Sequence, residues 1–138
     1  MAFLPSPYRL PLGRDFGLQS GVTTVAVSKI LIHISDRDKW RFVLNQIARL
    51  SEVEEGSKPD VTIIADGFAV GVCIACDRML REQMADFVQR GGRLLGCEES
   101  LRFLNMKSEN LPDFIQAVPN GVEEIIRLQG KGFQYVKA

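Results

Sequence analysis

GGRLLGCEESL, residues 91–101, is the stretch of the sequence that decides the fold. The glycine pair at its start ends one helical pattern, and the short apolar run that follows predicts a buried β-strand. Cys97 comes directly after this run, where a further helix is predicted to begin. In an open α/β sheet the ligand crevice lies at the carboxyl ends of the strands. Cys97 is therefore the first candidate for a chemically active residue.

Strands and helices are predicted to alternate on both sides of this stretch. Five apolar, β-favouring segments predict strands, at residues 29–34, 61–65, 93–96, 115–118 and 133–136. Helical patterns separate them; in the first, Trp40, Val43, Leu44 and Ile47 share one face. This alternation predicts an α/β fold, a three-layer α/β/α sandwich with a mainly parallel five-stranded sheet and right-handed crossovers.

Short polar residues mark the expected helix starts. Asp36 or Asp38 is expected to cap the first helix, Asp77 a later one, and Asn120 the last, because each side chain can accept from the free N–H groups of a first turn. The apolar run 68–76 is too long for a tight turn, and we expect a brief helix there.

Length and charge limit the classes of protein to which the chain can belong. Its 138 residues fit one domain, with residues 1–28 as an irregular N-terminal arm and 29–138 as the folded unit. The 17 basic and 17 acidic residues balance and form no long block, so a nucleic-acid partner is not expected. No apolar run reaches the roughly 18 residues of a membrane span, and residues 1–20, with prolines at 5, 7 and 11, do not resemble a secretory signal. We expect a cytoplasmic protein without a membrane partner.

The three cysteines are expected to be reduced thiols, because an odd number cannot pair fully and no export signal is present. Cys73 and Cys76 form a C-x-x-C motif. On a helix they would share a face and could form a reversible disulfide, but the motif lies inside an apolar segment rather than at a helix start. The pair is thus either a redox couple or ordinary core packing. A structural zinc site would require distant residues to converge, and no metal or cofactor is expected.

The chemistry open to Cys97 depends on its neighbours. The positive end of the helix favours a thiolate, whereas Glu98 and Glu99 oppose it by comparable amounts. The alternative for Cys97 is a small buried side chain that closes the strand. His33 and Asp66, near the ends of the first two strands, are expected to edge the same crevice. His33 is either a hydrogen-bonded core residue or a base that assists Cys97.

Residues 29–138 resemble the DsrE/DsrF family, also called YchN-like, which includes the TusD-type sulfur-relay subunits. The similarity lies in KILIHI at 29–34, in GRLLGC at 92–97 with Ser100 and Leu101 after it, and in VPNGV at 118–122 followed by IIRLQ and GFQYVK. The order and spacing of these pieces are more specific than any one of them.

The resemblance implies a three-layer α/β/α sandwich assembled as a homo-oligomer, a trimer or a hexamer. It further implies a sulfurtransferase-like carrier that holds sulfane sulfur as a persulfide on Cys97 and exchanges it with sulfur donor and acceptor proteins. His33, Ser100 and Asp66 would support that cysteine. Two alternatives remain: a non-catalytic oligomeric module that binds a ligand or partner, and a dithiol redox protein that uses Cys73 and Cys76.

Overall fold

The computed structural model describes residues 29–50 and 58–138, and the expected arm at 1–28 lies outside these residues. The described strands are β1 Lys29–Ile34, β2 Asp60–Ala65, β3 Arg93–Cys97, β4 Gln116–Val118 and β5 Gln134–Lys137. The described α-helices are α1 Trp40–Leu50, α2 Gly67–Val72, α3 Arg78–Gln89, α4 Glu98–Phe103 and α5 Gly121–Gly130. Within these two ranges, no helix is long and apolar enough to cross a membrane.

The five strands form one sheet in the order β4-β3-β2-β1-β5, and every neighbouring pair is parallel. The predicted α/β/α sandwich with a five-stranded sheet is thus confirmed, and the sheet is wholly rather than mainly parallel. Parallel neighbours bring all the carboxyl ends to one edge, which we call the carboxyl edge. At this edge Cys97 is the register partner of Val118, and His33 is the partner of both Ile64 and Lys137.

The two faces of the sheet are covered unequally. Alternate β1 residues divide between two cores: Ile32 and Ile34 belong to the larger one, and Leu31 belongs to the smaller one. Helices α1 to α4 contribute Trp40, Ala69, Leu80 and Leu101, among others, to the larger core. The smaller core is completed by Ile125 and Leu128 of α5. Four helices therefore pack on one face and α5 packs on the other.

This division makes β3 and β4 the pair of neighbouring strands whose connections diverge. The chain leaves β3 through α4 toward the larger core and leaves β4 through α5 toward the smaller core. Neighbouring strands whose connections leave toward opposite faces form the switch point at which open α/β sheets bind ligands. Cys97, the last residue of β3, lies at this point.

Two of the predicted helix starts are confirmed. The Asp77 carboxylate accepts from the backbone N–H of Leu80 at 2.8 Å, and the Asn120 side chain accepts from that of Glu123 at 3.0 Å. For α1 the prediction is wrong at Asp36: a 3₁₀ turn at Arg37–Lys39, which contains Asp38, precedes the helix, and Asp36 makes no side-chain capping hydrogen bond. Because of this turn, Asp36 precedes the 3₁₀ helix rather than α1, and its side chain does not reach the first N–H groups of α1.

Two helices are shorter than their apolar patterns predicted. The run 68–76 is helical only to Val72; Cys73 lies in the turn that follows, and Cys76 lies in the irregular segment before α3. Helix α4, expected to reach about Asn105, ends at Phe103. Asn105 adopts a left-handed backbone with φ of 59°, and the N–H of Met106 closes the end by donating to the Leu101 carbonyl at 2.8 Å. Apolar periodicity did not indicate this cap.

Candidate functional site

The Cys97 sulfur lies where two helices begin. Cys97 is the N-cap of α4, and its Sγ accepts from the backbone N–H of Ser100 at 3.4 Å. It also accepts from the backbone N–H of Gly121, the first residue of α5, at 3.3 Å. The starts of both helices therefore direct a backbone N–H group at the same sulfur.

Cys97 is buried in the chain rather than exposed at the carboxyl edge. The residue is 4% exposed because the start of α5 packs closely against it. A Cβ built on Gly121 would lie 3.5 Å from the Cys97 Cβ and 3.5 Å from the Asp66 Cβ. A reagent can therefore reach the sulfur only if the gap between α4 and α5 widens.

Ser100 supports Cys97 through its backbone alone. Its N–H donates to the sulfur, whereas its hydroxyl accepts from the backbone N–H of Gly67 at 2.9 Å. That second bond ties α4 to the start of α2. Ser100 thus helps to fix the position of the helix that carries one of the two donors.

His33 belongs to a separate hydrogen-bonded group on β1, β2 and β5. Its Nε2 lies 2.9 Å from Asp66 Oδ1 and 3.2 Å from Ser35 Oγ, and its Nδ1 lies 2.8 Å from the Tyr135 hydroxyl. The Ser35 hydroxyl donates to the same Asp66 oxygen at 2.6 Å. We call Tyr135, His33 and Asp66 the acid–base relay. The hydrogen bonds described for His33 stay within this group and do not reach Cys97. His33 is therefore not placed to act directly as a base for the sulfur.

The carboxylate of Asp66 is stabilised in its charged form. Partial burial raises its pKa, but hydrogen bonds from His33 and Ser35, helped by the charges of His33 and Lys137, outweigh burial and lower the pKa below its ordinary value. The pKa of Tyr135 is raised, first by burial and then by the negative charge of Asp66. At neutral pH the relay therefore joins a neutral phenol to a carboxylate through the imidazole.

Sequence reasoning missed Ser35, Tyr135 and Gly121. Tyr135 lies two residues before the partner of His33, on the same face of β5, but register between β1 and β5 cannot be known before the sheet is closed. Gly121 is brought to Cys97 by the pairing of β3 with β4. Of these three residues, only Gly121 was indicated by the sequence: Asn120 and Gly121 follow a predicted strand and mark the predicted start of a helix.

Cys73 and Cys76 are both free thiols. Cys73 is fully buried at the end of α2, and burial, with the neighbouring Cys76 second, raises its pKa to about 12. A thiol of this kind is a poor nucleophile at neutral pH. The motif also follows a helix rather than opening one, so its surroundings differ from those of a dithiol redox site.

Ligand space and metal donors were sought across the described part of the chain. No group of three or more His, Cys, Asp or Glu side chains in 29–50 and 58–138 is placed to hold a metal ion. A cavity of about 370 Å³ lies between α1 and α3, lined by residues such as Leu44, Phe87 and Gly92. The cavity adjoins the amino ends of β2 and β3, at the edge of the sheet opposite Cys97 and His33. We therefore place the candidate site at the carboxyl edge and not at this cavity.

Comparisons with known proteins bear on the fold and not on the activity. No family model and no curated protein matches the chain. Among solved structures, it is similar to a protein of unknown function, MTH1491 from Methanobacterium thermoautotrophicum, with a TM-score of 0.70 and 20% sequence identity. The similarity covers 80% of this chain and 99% of that chain. It supports the α/β/α architecture alone.

Proposed function

We propose that this chain is a sulfur carrier of the DsrE/DsrF type, which holds sulfane sulfur as a persulfide on Cys97. The observation that supports this proposal is the pair of backbone N–H donors, from Ser100 and Gly121, that converge on the sulfur. Donors at Sγ suit this chemistry because Sγ is the attacking thiolate when Cys97 receives sulfur and the leaving thiolate when Cys97 gives it up.

The transfer requires no net oxidation. The Cys97 thiolate attacks the outer sulfur of a donor persulfide, R–S–SH; the donor S–S bond breaks, the donor leaves as a thiolate, and Cys97–S–SH remains. An acceptor thiolate then attacks the outer sulfur of Cys97–S–SH and restores Cys97. This is thiol–disulfide exchange chemistry with a sulfane sulfur as the transferred group.

Because Cys97 is buried, the donor or acceptor protein must itself open the way to the sulfur. Glu99 and Asn120, at the starts of α4 and α5, are joined by a hydrogen bond of 2.7 Å next to the buried sulfur. A docking protein that separates these two residues would open the gap. We propose that donor and acceptor are cytoplasmic proteins that dock at this gap.

Assembly into a trimer or hexamer is part of the same proposal. Val122 and Ile126 lie one turn apart on α5 and are exposed, beside the helix start that contacts Cys97. Exposed apolar side chains at this spacing suit a contact with another copy. Light scattering tests this directly: the native chain should be oligomeric, and Ile126→Glu should shift it toward monomer. A native chain that is monomeric at all concentrations contradicts this part of the proposal.

Intact-protein mass spectrometry tests the persulfide. The reduced protein, incubated with a persulfide donor, should gain the mass of one sulfur atom, and Cys97→Ser should abolish the gain. Cys73→Ala and Cys76→Ser are the matched controls and should keep it. No adduct on the native protein, or an equal adduct on Cys97→Ser, would disprove the proposal.

The low exposure of Cys97 favours a second candidate, a non-catalytic oligomeric module that binds a ligand or partner at the same gap. In that case Cys97→Ser, whose oxygen can accept the same two N–H groups, would retain full function in cells. Under the sulfur-carrier proposal the same substitution would abolish function.

A further inference from the structure

We propose that the acid–base relay of Tyr135, His33 and Asp66 is a proton-transfer site, separate from Cys97. Its substrate would be a small carboxylate that carries an acidic C–H group beside a carbonyl. The inference goes beyond sulfur transfer and does not depend on it.

When the imidazole is neutral, the distances define one arrangement of its protons. Asp66 Oδ1, 2.9 Å from His33 Nε2, also accepts from Ser35 and is a charged acceptor, so it requires the proton on Nε2. His33 Nδ1 is then unprotonated and accepts from the Tyr135 hydroxyl at 2.8 Å. This is the order of nucleophile or base, imidazole and orienting carboxylate that recurs in unrelated catalytic triads, with a phenol as the outer member.

Exposure decides which member meets a substrate. The side chains of His33 and Asp66 are only 12% and 18% exposed, whereas Tyr135 is 41% exposed. The phenol is therefore the solvent-facing end of the relay, and the imidazole and carboxylate are shielded behind it.

Lys137 supplies a charge that selects the substrate. It is the register partner of His33 and lies two residues after Tyr135, so both side chains project from the same face of β5. Its charge is close enough to lower the pKa of Asp66. Its ammonium donates to the Ala138 carbonyl at 3.3 Å and retains further N–H groups for a carboxylate. A molecule that spans the two side chains thus presents its carboxylate to Lys137 and its acidic hydrogen to Tyr135.

The proposed step is balanced within the site. The Tyr135 oxygen takes the proton of the substrate C–H bond, and the electron pair remains on the substrate as an enolate. The Tyr135 proton passes to His33 Nδ1, and Asp66 stabilises the resulting imidazolium. The reverse step returns a proton to carbon, so no oxidant or reductant is consumed. In D₂O the returned hydrogen is deuterium.

Hydrogen–deuterium exchange of pyruvate in D₂O, followed by proton NMR without any persulfide donor, tests the site. We expect the native protein to exchange the methyl hydrogens faster than buffer and Tyr135→Phe to be about 100-fold slower, the lower range for a general acid–base group. His33→Asn should lose a similar factor. Val136→Thr, on the opposite face of β5, is the matched control and should retain the native rate.

Methyl pyruvate, which lacks the carboxylate, separates recognition from chemistry. Lys137→Met should raise the KM for pyruvate by a larger factor than the KM for methyl pyruvate. The proposal is overturned if the native protein exchanges pyruvate no faster than buffer, or if Tyr135→Phe exchanges it at the native rate. Fluorescence of the buried Trp40 confirms that each variant is folded.

Discussion

Asn120 and Glu99 link the starts of α4 and α5 across the Cys97 corner: the Asn120 amide donates to Glu99 Oε1 at 2.7 Å. The same Asn120 side chain accepts from the backbone N–H of Glu123. One residue thus caps α5 and holds it to the neighbouring helix, next to the sulfur that both helix starts surround. Stability and access to Cys97 therefore depend on a common side chain.

Substitution of Asn120 should separate these two contributions. Asn120→Ala removes the cap and the link, and we expect the free energy of unfolding to fall by about 1 kcal/mol. Asn120→Asp keeps an acceptor for Glu123 but repels Glu99, so its loss should be smaller. Urea unfolding followed by Trp40 fluorescence measures both. Equal stability of Asn120→Ala and the native chain would show that the cap is energetically silent.

Gly92 is expected to tolerate no side chain. A Cβ at this position would lie 2.2 Å from the buried ring of Phe87, so Gly92→Ala must displace the ring from the larger core. We expect a loss of about 1–3 kcal/mol by urea unfolding, as for other overpacked cores. Gly130→Ala is the matched control, because nothing lies within 4 Å of its Cβ, and it should be neutral or slightly stabilising. Equal effects of the two would contradict the packing described here.

Asp66 should make stability depend on acid pH. Because its pKa is lowered in the folded state, the unfolded chain binds the proton more tightly, and the contribution is present above the ordinary pKa of 3.8 and is lost as the pH falls below it. At pH 7, Asp66→Asn should lose about 1–3 kcal/mol with its charged hydrogen bonds. Near pH 2 the variant and the native chain should converge.

The exposed Asp86 provides the control for this experiment. Its ion pair with Arg90 lies on the surface of α3, and Asp86→Asn should change the free energy of unfolding by less than about 1 kcal/mol at either pH. A native chain whose advantage over Asp66→Asn persisted unchanged at low pH would refute the lowered pKa.

Cys73 should make stability depend on alkaline pH, with the opposite sign. Its pKa is raised from 9.0 to about 12 in the folded state, so between these values the unfolded chain loses the proton and the folded chain keeps it. Its contribution to the free energy of unfolding should fall by up to about 1.4 kcal/mol per pH unit in this range. Cys73→Ala should have a shallower decline, measured by urea unfolding at pH 8 to 11. Parallel declines would show that Cys73 ionises freely.

The fold was predictable because local patterns and the global arrangement agree. The apolar runs at β1, β2 and β3 are continuous, as expected for strands covered on both faces. Gly91, with its positive φ, and Asn120, with its capping side chain, mark element ends by their own chemistry. The errors lie where a short-range interaction overrode the pattern. The 3₁₀ turn before Trp40 displaced the expected cap, and the left-handed Asn105 shortened α4.

The site was predictable only in part, since adjacency in a sheet is a long-range property. Cys97 was found from its place at a strand end, and the pairing of β3 with β4 explains its second N–H donor. His33 was placed at the correct edge, but its partner Tyr135 is 102 residues away along the chain. No local pattern indicates a contact across that separation.

The order β4-β3-β2-β1-β5 also sets how much chain each site must enclose when it forms. The second N–H donor of the Cys97 sulfur lies 24 residues from it, whereas Tyr135 lies 102 residues from His33, on a strand that pairs with β1. Closing the shorter loop costs less chain entropy, so a folding chain can form its thiol corner before the last strand returns to the first and brings the phenol to the imidazole.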